Sequence, residues 1–492
     1  MNILLTAAEV FPFAKTGGLG DVCGSLPKEW EKLGHQCIVV MPKYANIDTA
    51  KWNIQPTNIT VAVPIDYWTE YTRLWRGTLP GSNVQVYFLE NADYFDRWGI
   101  YGNPEGFWDN DRRFIFLCRA VFEVAQALNF TPDVIMANDW HTAFTMPMLK
   151  MRYRFTPRFS RTAGVYAIHN MAFQGQMDPR RALPFAGIPM WEFYQGSWFE
   201  SYGVVNAMQI GILFADKIVT VSPRYATEIR YTSSGYGLQG VINSRGGDFI
   251  GILNGIDENE WNPETDKHIF SNYSRERLDG KMLNKYHYLR SWGIEDHEMK
   301  EDMPMIGMVT RLTDQKGIPL VEEALERILS NYPVRFTIVG SGADRYENYF
   351  RYIGSKFGKR ALVYMGYNDD LAHKVEASAD MFLMPSLFEP CGLNQMYSLK
   401  YGTVPVVRAV GGLADTVREY NYSTGTGNGF VFYDYEAADM GWALHRAISA
   451  YFDKPNWIRI IKNGMMENNS ATQSAERYIE VFRWAQEKIP PF

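Results

Sequence analysis

The amino-acid sequence predicts an α/β fold with two doubly wound, Rossmann-like domains facing across a cleft. Three observations carry this expectation: apolar runs of strand length alternate with helical patterns, glycine-rich turns follow two of those runs, and the plan restarts after a polar stretch. At 492 residues the chain exceeds one ordinary domain, and its 46% apolar residues suffice for large cores.

The elements follow in order. Residues 3–8 form a first buried-type strand, then come Gly17-Gly18-Leu19-Gly20 and a helical stretch with Val22, Leu26, Trp30 and Leu33 on one face. Pro27 is expected to kink or restart that helix. Gly34 closes it, and residues 37–41 complete a βαβ unit. Further strands are expected at 84–89, 134–137, 165–168 and 218–221. Runs without polar alternation belong to parallel sheets covered by helices on both faces. The polar stretch 262–303 reads as linker and surface helices. Beyond it lie a strand at 305–309, a helix at 318–329 with Val321, Leu325 and Ile328 aligned, and a strand at 336–339 ending in Gly340-Ser341-Gly342. Strands at 381–384 and 404–407 continue the set, with Pro405 confined to a strand start or edge. The expected domains are 1–262 and 263–469. A C-terminal helix over about 470–492 is available to pack back on the first, though periodicity alone does not place it.

Composition excludes several classes. The net charge of −6 repels nucleic acid and anionic lipid, so neither is an expected partner. The sequence shows no apolar run of membrane-spanning length and no charged-then-apolar leader. Cys23, Cys37, Cys118 and Cys391 form no C-x-x-C pair and read as reduced thiols of a cytoplasmic or plastid-stroma compartment. No Cys/His spacing suits zinc, and no metal or cofactor is expected. The aromatic share of 15% suits sugar stacking, but aromatics fill cores more often.

Three polar segments and one pair of clusters follow strand ends, where open α/β sheets bind ligands. In Lys15-Thr16-Gly17-Gly18-Leu19-Gly20-Asp21, glycines let backbone N–H groups approach a phosphate at a helix start and Lys15 adds charge; a plain tight turn is the alternative. In Thr310-Arg311-Leu312-Thr313-Asp314-Gln315-Lys316-Gly317, two cations five residues apart can grip a diphosphate, or Asp314 pairs with Lys316 in a solvated loop. In Pro385-Ser386-Leu387-Phe388-Glu389-Pro390-Cys391-Gly392-Leu393-Asn394, the carboxylate faces a sugar or caps a helix. Asn138-Asp139-Trp140-His141 and His169-Asn170-Met171-Ala172-Phe173-Gln174-Gly175 form two strand-end clusters that are either catalytic or structural. Asp109-Asn110-Asp111 has the D-x-D form of metal-dependent glycosyltransferases, but helix capping explains it better.

Taken in series, these segments resemble the bacterial glycogen synthase and plant starch synthase family. The likeness adds Thr220-Val221-Ser222-Pro223, Asn254-Gly255-Ile256-Asp257, Trp261-Asn262-Pro263, Tyr401-Gly402-Thr403 and Gly411-Gly412-Leu413-Ala414-Asp415-Thr416. It implies the GT-B architecture and a retaining transfer of glucose from ADP-glucose to the non-reducing 4-OH of an α-1,4-glucan. It implies that Lys15, Arg311 and Lys316 hold the diphosphate, and that Gly17 and Gly18 lie in the same donor loop. Asp21, Asp139, His169 and Asn170 would line the glucose and acceptor side. Glu389 would grip the glucosyl hydroxyls, together with Ser386 and the backbone of Cys391, Gly392, Leu393 and Asn394. Gly366 and Tyr367 would sit near the adenine, and Tyr101 near the acceptor. Leu387, Gln209 and Ala471 depart from the family pattern, where Arg, Lys and Trp are common.

Rival readings are a UDP-glucose-using synthase, a pyridoxal-phosphate glucan phosphorylase and a glucan-binding relative without turnover. A dehydrogenase is disfavoured, because neither half carries G-x-G-x-x-G with an acidic residue about 20 further on.

Overall fold

The computed structural model describes residues 1–102, 105–299 and 302–489. The chain divides into two compact units, Met1–Asn254 joined by the C-terminal helix from Ala471, and Gly255–Ser470.

The first unit is built on β1 (Asn2–Thr6), β2 (Gln36–Pro42), β3 (Gln55–Ile65), β4 (Trp68–Thr78), β5 (Gln85–Glu90), β6 (Val134–Asn138) and β7 (Ala163–Ile168). A short ribbon, β8 (Gln176–Met177) with β9 (Val205–Asn206), stands apart, and β10 (Lys217–Thr220) and β11 (Phe249–Gly251) complete the main sheet. Its order is β11-β10-β7-β6-β1-β2-β5-β4-β3. Pairing is parallel except where β4 runs against β3 and β5. The central strands are buried on both faces, as their unbroken apolar runs require. The β3–β4 hairpin differs: Val61, Val63 and Ile65 are buried while Thr60 and Ala62 face outward. Period-two alternation places such a hairpin at a half-exposed edge.

Pro27 neither kinks out nor restarts the first helix, which runs unbroken over Gly18–Lys32. Leu33 falls just past its end and is exposed rather than aligned with the buried face. Trp30 is wholly buried and meets the C-terminal helix Ala471–Glu487, edge to face with Tyr478 and Phe482 at centroid distances of 6.0 and 5.1 Å. Thr472 Oγ1 donates to Glu29 Oε2 at 2.7 Å, fixing the same helix to the first unit.

The second unit carries a wholly parallel sheet of β12 (Met305–Leu312), β13 (Arg335–Gly342), β14 (Ala361–Met365), β15 (Met381–Met384), β16 (Val404–Arg408) and β17 (Phe430–Phe432). The order is β14-β13-β12-β15-β16-β17. Pro405 is the second residue of an internal strand, opposite Phe382, where a missing N–H costs the ladder least. The stretch 262–303 is not a linker. Its helix Asp279–Ser291 buries Tyr288 and Leu289, and its Lys281 Nζ reaches inward to Thr403 Oγ1 at 2.6 Å. Polar residues there satisfy interior groups, which is why composition misrepresents the segment.

Both sheets reverse direction once. In the first, succession runs one way from β1 to β2 and the other way through β6; in the second it divides between β12–β13 and β15–β16. Strand carboxyl ends at such switch points open a crevice that loops on either side cannot fill. The singled-out polar residues lie in or near those positions.

Candidate active site

In the first unit the switch point is organised by Glu9, which follows β1 and is buried. Its carboxylate accepts from Thr16 N at 2.6 Å, Thr16 Oγ1 at 2.7 Å, Gly17 N at 3.1 Å and the Tyr101 hydroxyl at 2.5 Å. The expected phosphate cradle therefore has a different construction. The Gly17 N–H is committed to Glu9, and Gly17 serves as an extended N-cap to the helix headed by Gly18 and Leu19, whose own N–H groups have no intrahelical partner. Lys15 Nζ pairs with Asp21 Oδ1 at 2.7 Å and lies over the Phe11 ring. Glu9 escaped the sequence reading because a lone acid after a strand has no distinguishing spacing.

The ends of β6 and β7 are tied by Asp139. Asp139 adopts a left-handed φ of 56°, a conformation that costs of order 1–3 kcal/mol for a residue with a side chain. That turn carries Oδ1 to the His169 N–H at 2.7 Å and the Asn170 N–H at 3.4 Å. Burial pushes the Asp139 carboxyl up to about 7, against those two N–H bonds, and the Glu9 charge adds to the rise. His169 Nε2 lies 3.0 Å from Asn138 Oδ1, and the Asn138 amide nitrogen donates to Thr6 O at 3.0 Å. The oxygen of Asn138 must then accept, so Nε2 carries the proton and Nδ1 is left as an acceptor. Burial lowers the His169 imidazole to about 3, so at neutral pH it is uncharged. Asn170 turns its Oδ1 onto the Ala172 N–H at 3.0 Å.

Tyr101 stacks on His141 with centroids 4.6 Å apart. Beside Trp140 lies a cavity of about 640 Å³ lined by Phe107, Trp108, Phe173, Tyr236 and the polar Gln174 and Asp178, among others. Trp108 and Phe173 are 75% and 59% exposed, so these rings are surface rather than core. A concave wall of aromatic faces and amide edges suits pyranose rings, which offer apolar faces and rims of hydroxyls.

Helix capping does not explain Asp109 and Asp111. Asp109 occupies the N-cap position without a side-chain cap bond and instead binds Arg97 Nη1 and Nη2 at 2.6 and 2.8 Å. Asp111 binds Arg181 Nε and Nη2 at 2.7 and 3.0 Å. Two guanidinium forks, invisible in the local sequence, neutralise the D-x-D carboxylates. Gln209, which stands where Lys is common, donates to the Trp198 and Glu200 carbonyls.

In the second unit the residues gather beyond β12 and β15. Lys316 Nζ contacts both Glu389 oxygens, at 2.9 and 2.7 Å, and Ser386 Oγ donates to Glu389 Oε2 at 2.9 Å. Lys316 does not pair with Asp314, which accepts from the Tyr346 hydroxyl. Gly317 has φ 75°, and a Cβ there would sit 2.0 Å from Pro385 O. This close approach presses the lysine turn onto the Glu389 loop, where the Leu387 N–H also donates to Gln315 O at 2.8 Å. From the other side, Gly411 (φ 45°) leaves room for Glu389 O, which a Cβ would meet at 1.9 Å. Asn394 uses its side-chain amide to reach Val309 O at 2.8 Å, pinning the loop to β12. Cys391 and Leu393 are buried, and Gly392 turns with φ 72°. Arg311, at the end of β12, is exposed, and among the described residues its guanidinium makes no hydrogen bond or ion pair. Arg408, a cation that spacing did not mark, donates to Leu387 O at 2.8 Å.

Gly366 and Tyr367 are not part of this cluster. They follow β14 at the sheet edge, three strand positions from β15, or roughly 14 Å across the sheet. Tyr367 is 73% exposed and its hydroxyl reaches Asp369 Oδ1 at 3.2 Å.

Residues 2–244 match the starch synthase catalytic domain family, and residues 294–464 match the group 1 glycosyl transferases. The chain is 42% identical to glycogen synthase 1 of Geobacter sulfurreducens over 488 residues, covering 98% of this chain and 96% of that one. It is 40% identical to a Bacillus cereus glycogen synthase over 483 residues, covering 98% and 99%. Among solved structures, the catalytic domain of starch synthase IV from Arabidopsis thaliana, bound to ADP and acarbose, superposes with a TM-score of 0.91. Identity there is 30%, with 99% of each chain covered.

Proposed function

This chain belongs to the glycogen and starch synthase family of GT-B glycosyltransferases, and from that premise we propose that it transfers glucose from ADP-glucose to the non-reducing 4-OH of an α-1,4-glucan, with retention at C1. The observation that carries the reading is the Lys316–Glu389–Ser386 cluster at the switch point of the second sheet, with the exposed Arg311 at the neighbouring strand end. Breaking the bond from C1 leaves a cationic sugar and an anionic diphosphate. Fixed cations aimed at that growing negative charge act chiefly on the transition state, which is where catalysis is won. Arg311 and Lys316 fill that part, and the rigidly held Glu389 meets the glucosyl hydroxyls. The ADP and acarbose in the starch synthase IV structure support a donor nucleotide and a glucan-like acceptor for this fold.

In the first unit, the aromatic cavity beside Trp140 receives the acceptor chain. His169, held neutral by burial, hydrogen-bonds a hydroxyl through Nδ1 rather than supplying a charge. Among the described residues no helix is long and apolar enough to cross a membrane, and all four cysteines are unpaired and buried. We place the enzyme in the cytoplasm, where such thiols stay reduced.

The test is incubation of the full chain with ADP-glucose or UDP-glucose and a maltooligosaccharide, following nucleotide release and chain growth. ADP release matched by one-glucose extensions is expected. Extension from UDP-glucose alone would transfer the reading to the alternative donor, and extension from neither would reject it.

A further inference from the structure

Away from the active-site cluster, the second unit brings two groups near its start together with a third that is remote in sequence. Ligand atoms of Glu260, His268 and His373 all lie within 4.8 Å of one another. His373 sits on the helix Asp369–Ser378 and is fully buried, whereas Glu260 and His268 belong to the segment that begins the unit and are partly exposed.

The protonation of His373 can be deduced from its neighbours. Its Nδ1 lies 2.8 Å from Asp266 Oδ2, and that same oxygen accepts from the Tyr401 hydroxyl at 2.5 Å, while Asp266 Oδ1 accepts from the His268 backbone N–H at 2.8 Å. An ionised carboxylate has no proton to give, so Nδ1 carries the hydrogen and Nε2 the lone pair. Among the described residues, His373 Nε2 is buried with no hydrogen-bond partner. A polar atom in that condition is costly unless something occupies its lone pair. The ring has no freedom to turn away, because Trp261 stacks on it at 3.7 Å and 10° and is itself stacked on Tyr397 at 3.8 Å.

This is the arrangement of a metal-binding imidazole: one nitrogen is oriented by a buried carboxylate and the other keeps its lone pair, while the His268 ring lies beside it with centroids 4.7 Å apart at 34°. His268 places Nδ1 3.1 Å from Asp370 Oδ1, and Asp370 is partly neutralised by Lys374 at 2.5 Å. A donor set of two imidazoles and one carboxylate, with a fourth position open to water, matches zinc in tetrahedral coordination. Zinc–ligand bonds of about 2.0–2.1 Å need ligand atoms about 3.4 Å apart, so the two partly exposed side chains must close on the fixed one.

We propose that Glu260, His268 and His373 bind one zinc ion, which clamps the start of the second unit onto the helix Asp369–Ser378. No local pattern marks it: His268 and His373 are far apart in the chain, and neither lies in a zinc-type spacing.

The experiment uses the full, untagged chain stripped with chelator and titrated calorimetrically with zinc sulfate. One zinc per chain and a higher melting temperature are expected, and cobalt in place of zinc should give the intense visible bands of a tetrahedral site. His268→Ala and Glu260→Gln, which leave the buried ring and its Asp266 bond intact, should each weaken zinc binding at least about tenfold to a hundredfold. Both variants should melt with the stripped wild type when no metal is present. Absence of saturable one-to-one binding overturns the proposal, and so does a His268→Ala protein that holds zinc as tightly as wild type. His373→Ala alone does not serve, since a hole beside Trp261 would weaken the fold by itself.

Discussion

Replacing Lys316 by methionine should damage stability and turnover by separable routes. The Lys316 and Glu389 side chains are only 18% and 6% exposed, so removal of the cation strands a carboxylate in a largely dry loop. Breaking such a pair from one side costs about 3–5 kcal/mol. Ser386 Oγ still donates to Glu389 at 2.9 Å, which argues for the lower end. For a unit the size of Gly255–Ser470, about 3 kcal/mol corresponds to a fall in Tm of roughly 6–12 °C. The double variant Lys316→Met/Glu389→Gln removes both charges and should recover most of that loss. Its turnover should remain about 100- to 1000-fold below wild type, because the donor aimed at the leaving diphosphate is still missing. Thermal melts at one pH, paired with initial rates of nucleotide release, separate the two effects. A single variant that melts within about 1 °C of wild type would show that the pair bears no strain-free load. A double variant with restored turnover would remove Lys316 from the chemistry.

Other expectations are more compact. Arg311→Ala should cut turnover about 100- to 1000-fold while Tm hardly moves, since the guanidinium is exposed and unbonded among the described residues; near-normal rates would remove it from the site. Gly317→Ala should cost about 1–2 kcal/mol for its left-handed backbone, with a further cost from Pro385 O at 2.0 Å, and denaturant melts that match wild type would contradict this. Asp139 has a folded-state carboxyl raised to about 7, so the native state holds the extra proton and its contribution to stability is lost as pH climbs from about 4 towards 7. Asp139→Asn should therefore gain Tm over wild type progressively across that window and hold the gain above it, and a pH-independent difference would contradict the assignment. Glu9→Ala should raise the KM for the nucleotide sugar more than it lowers kcat, because it releases the Thr16 and Gly17 N–H groups that shape the first loop; the split between KM and kcat, read from initial rates, is the check.

What could be read from the chain was what repeats locally. The central strands of both sheets announce themselves because they are apolar on both faces, and Lys15, Asp139, His169, Arg311 and Glu389 follow strands or stand close to their ends. The β3–β4 hairpin is not legible in the same way, because half its residues face water and dilute the apolar signal. Residues 262–303 resembled a linker because Lys281 and Asn284 are polar, although both are buried and bonded. The partners that give the site its character are distant in the chain: Lys316 from Glu389, Glu9 from Tyr101, Arg181 from Asp111. Pair contacts of that kind leave no period behind. The resemblance supplied roles for several of these residues, but not the fact that Lys316 and Glu389 rest against each other.

The C-terminal helix carries a consequence for how the polypeptide is made. Trp30 is covered by Tyr478 and Phe482, so a ribosome must pass through the whole of the intervening unit before the first unit can close its interior. The intervening unit, by contrast, is continuous, and its ends meet where Ile256 N–H donates to Asn469 O at 2.8 Å. It behaves as an insert that can be excised at adjacent cut points, whereas removing the helix Ala471–Glu487 uncovers an indole laid down before that insert.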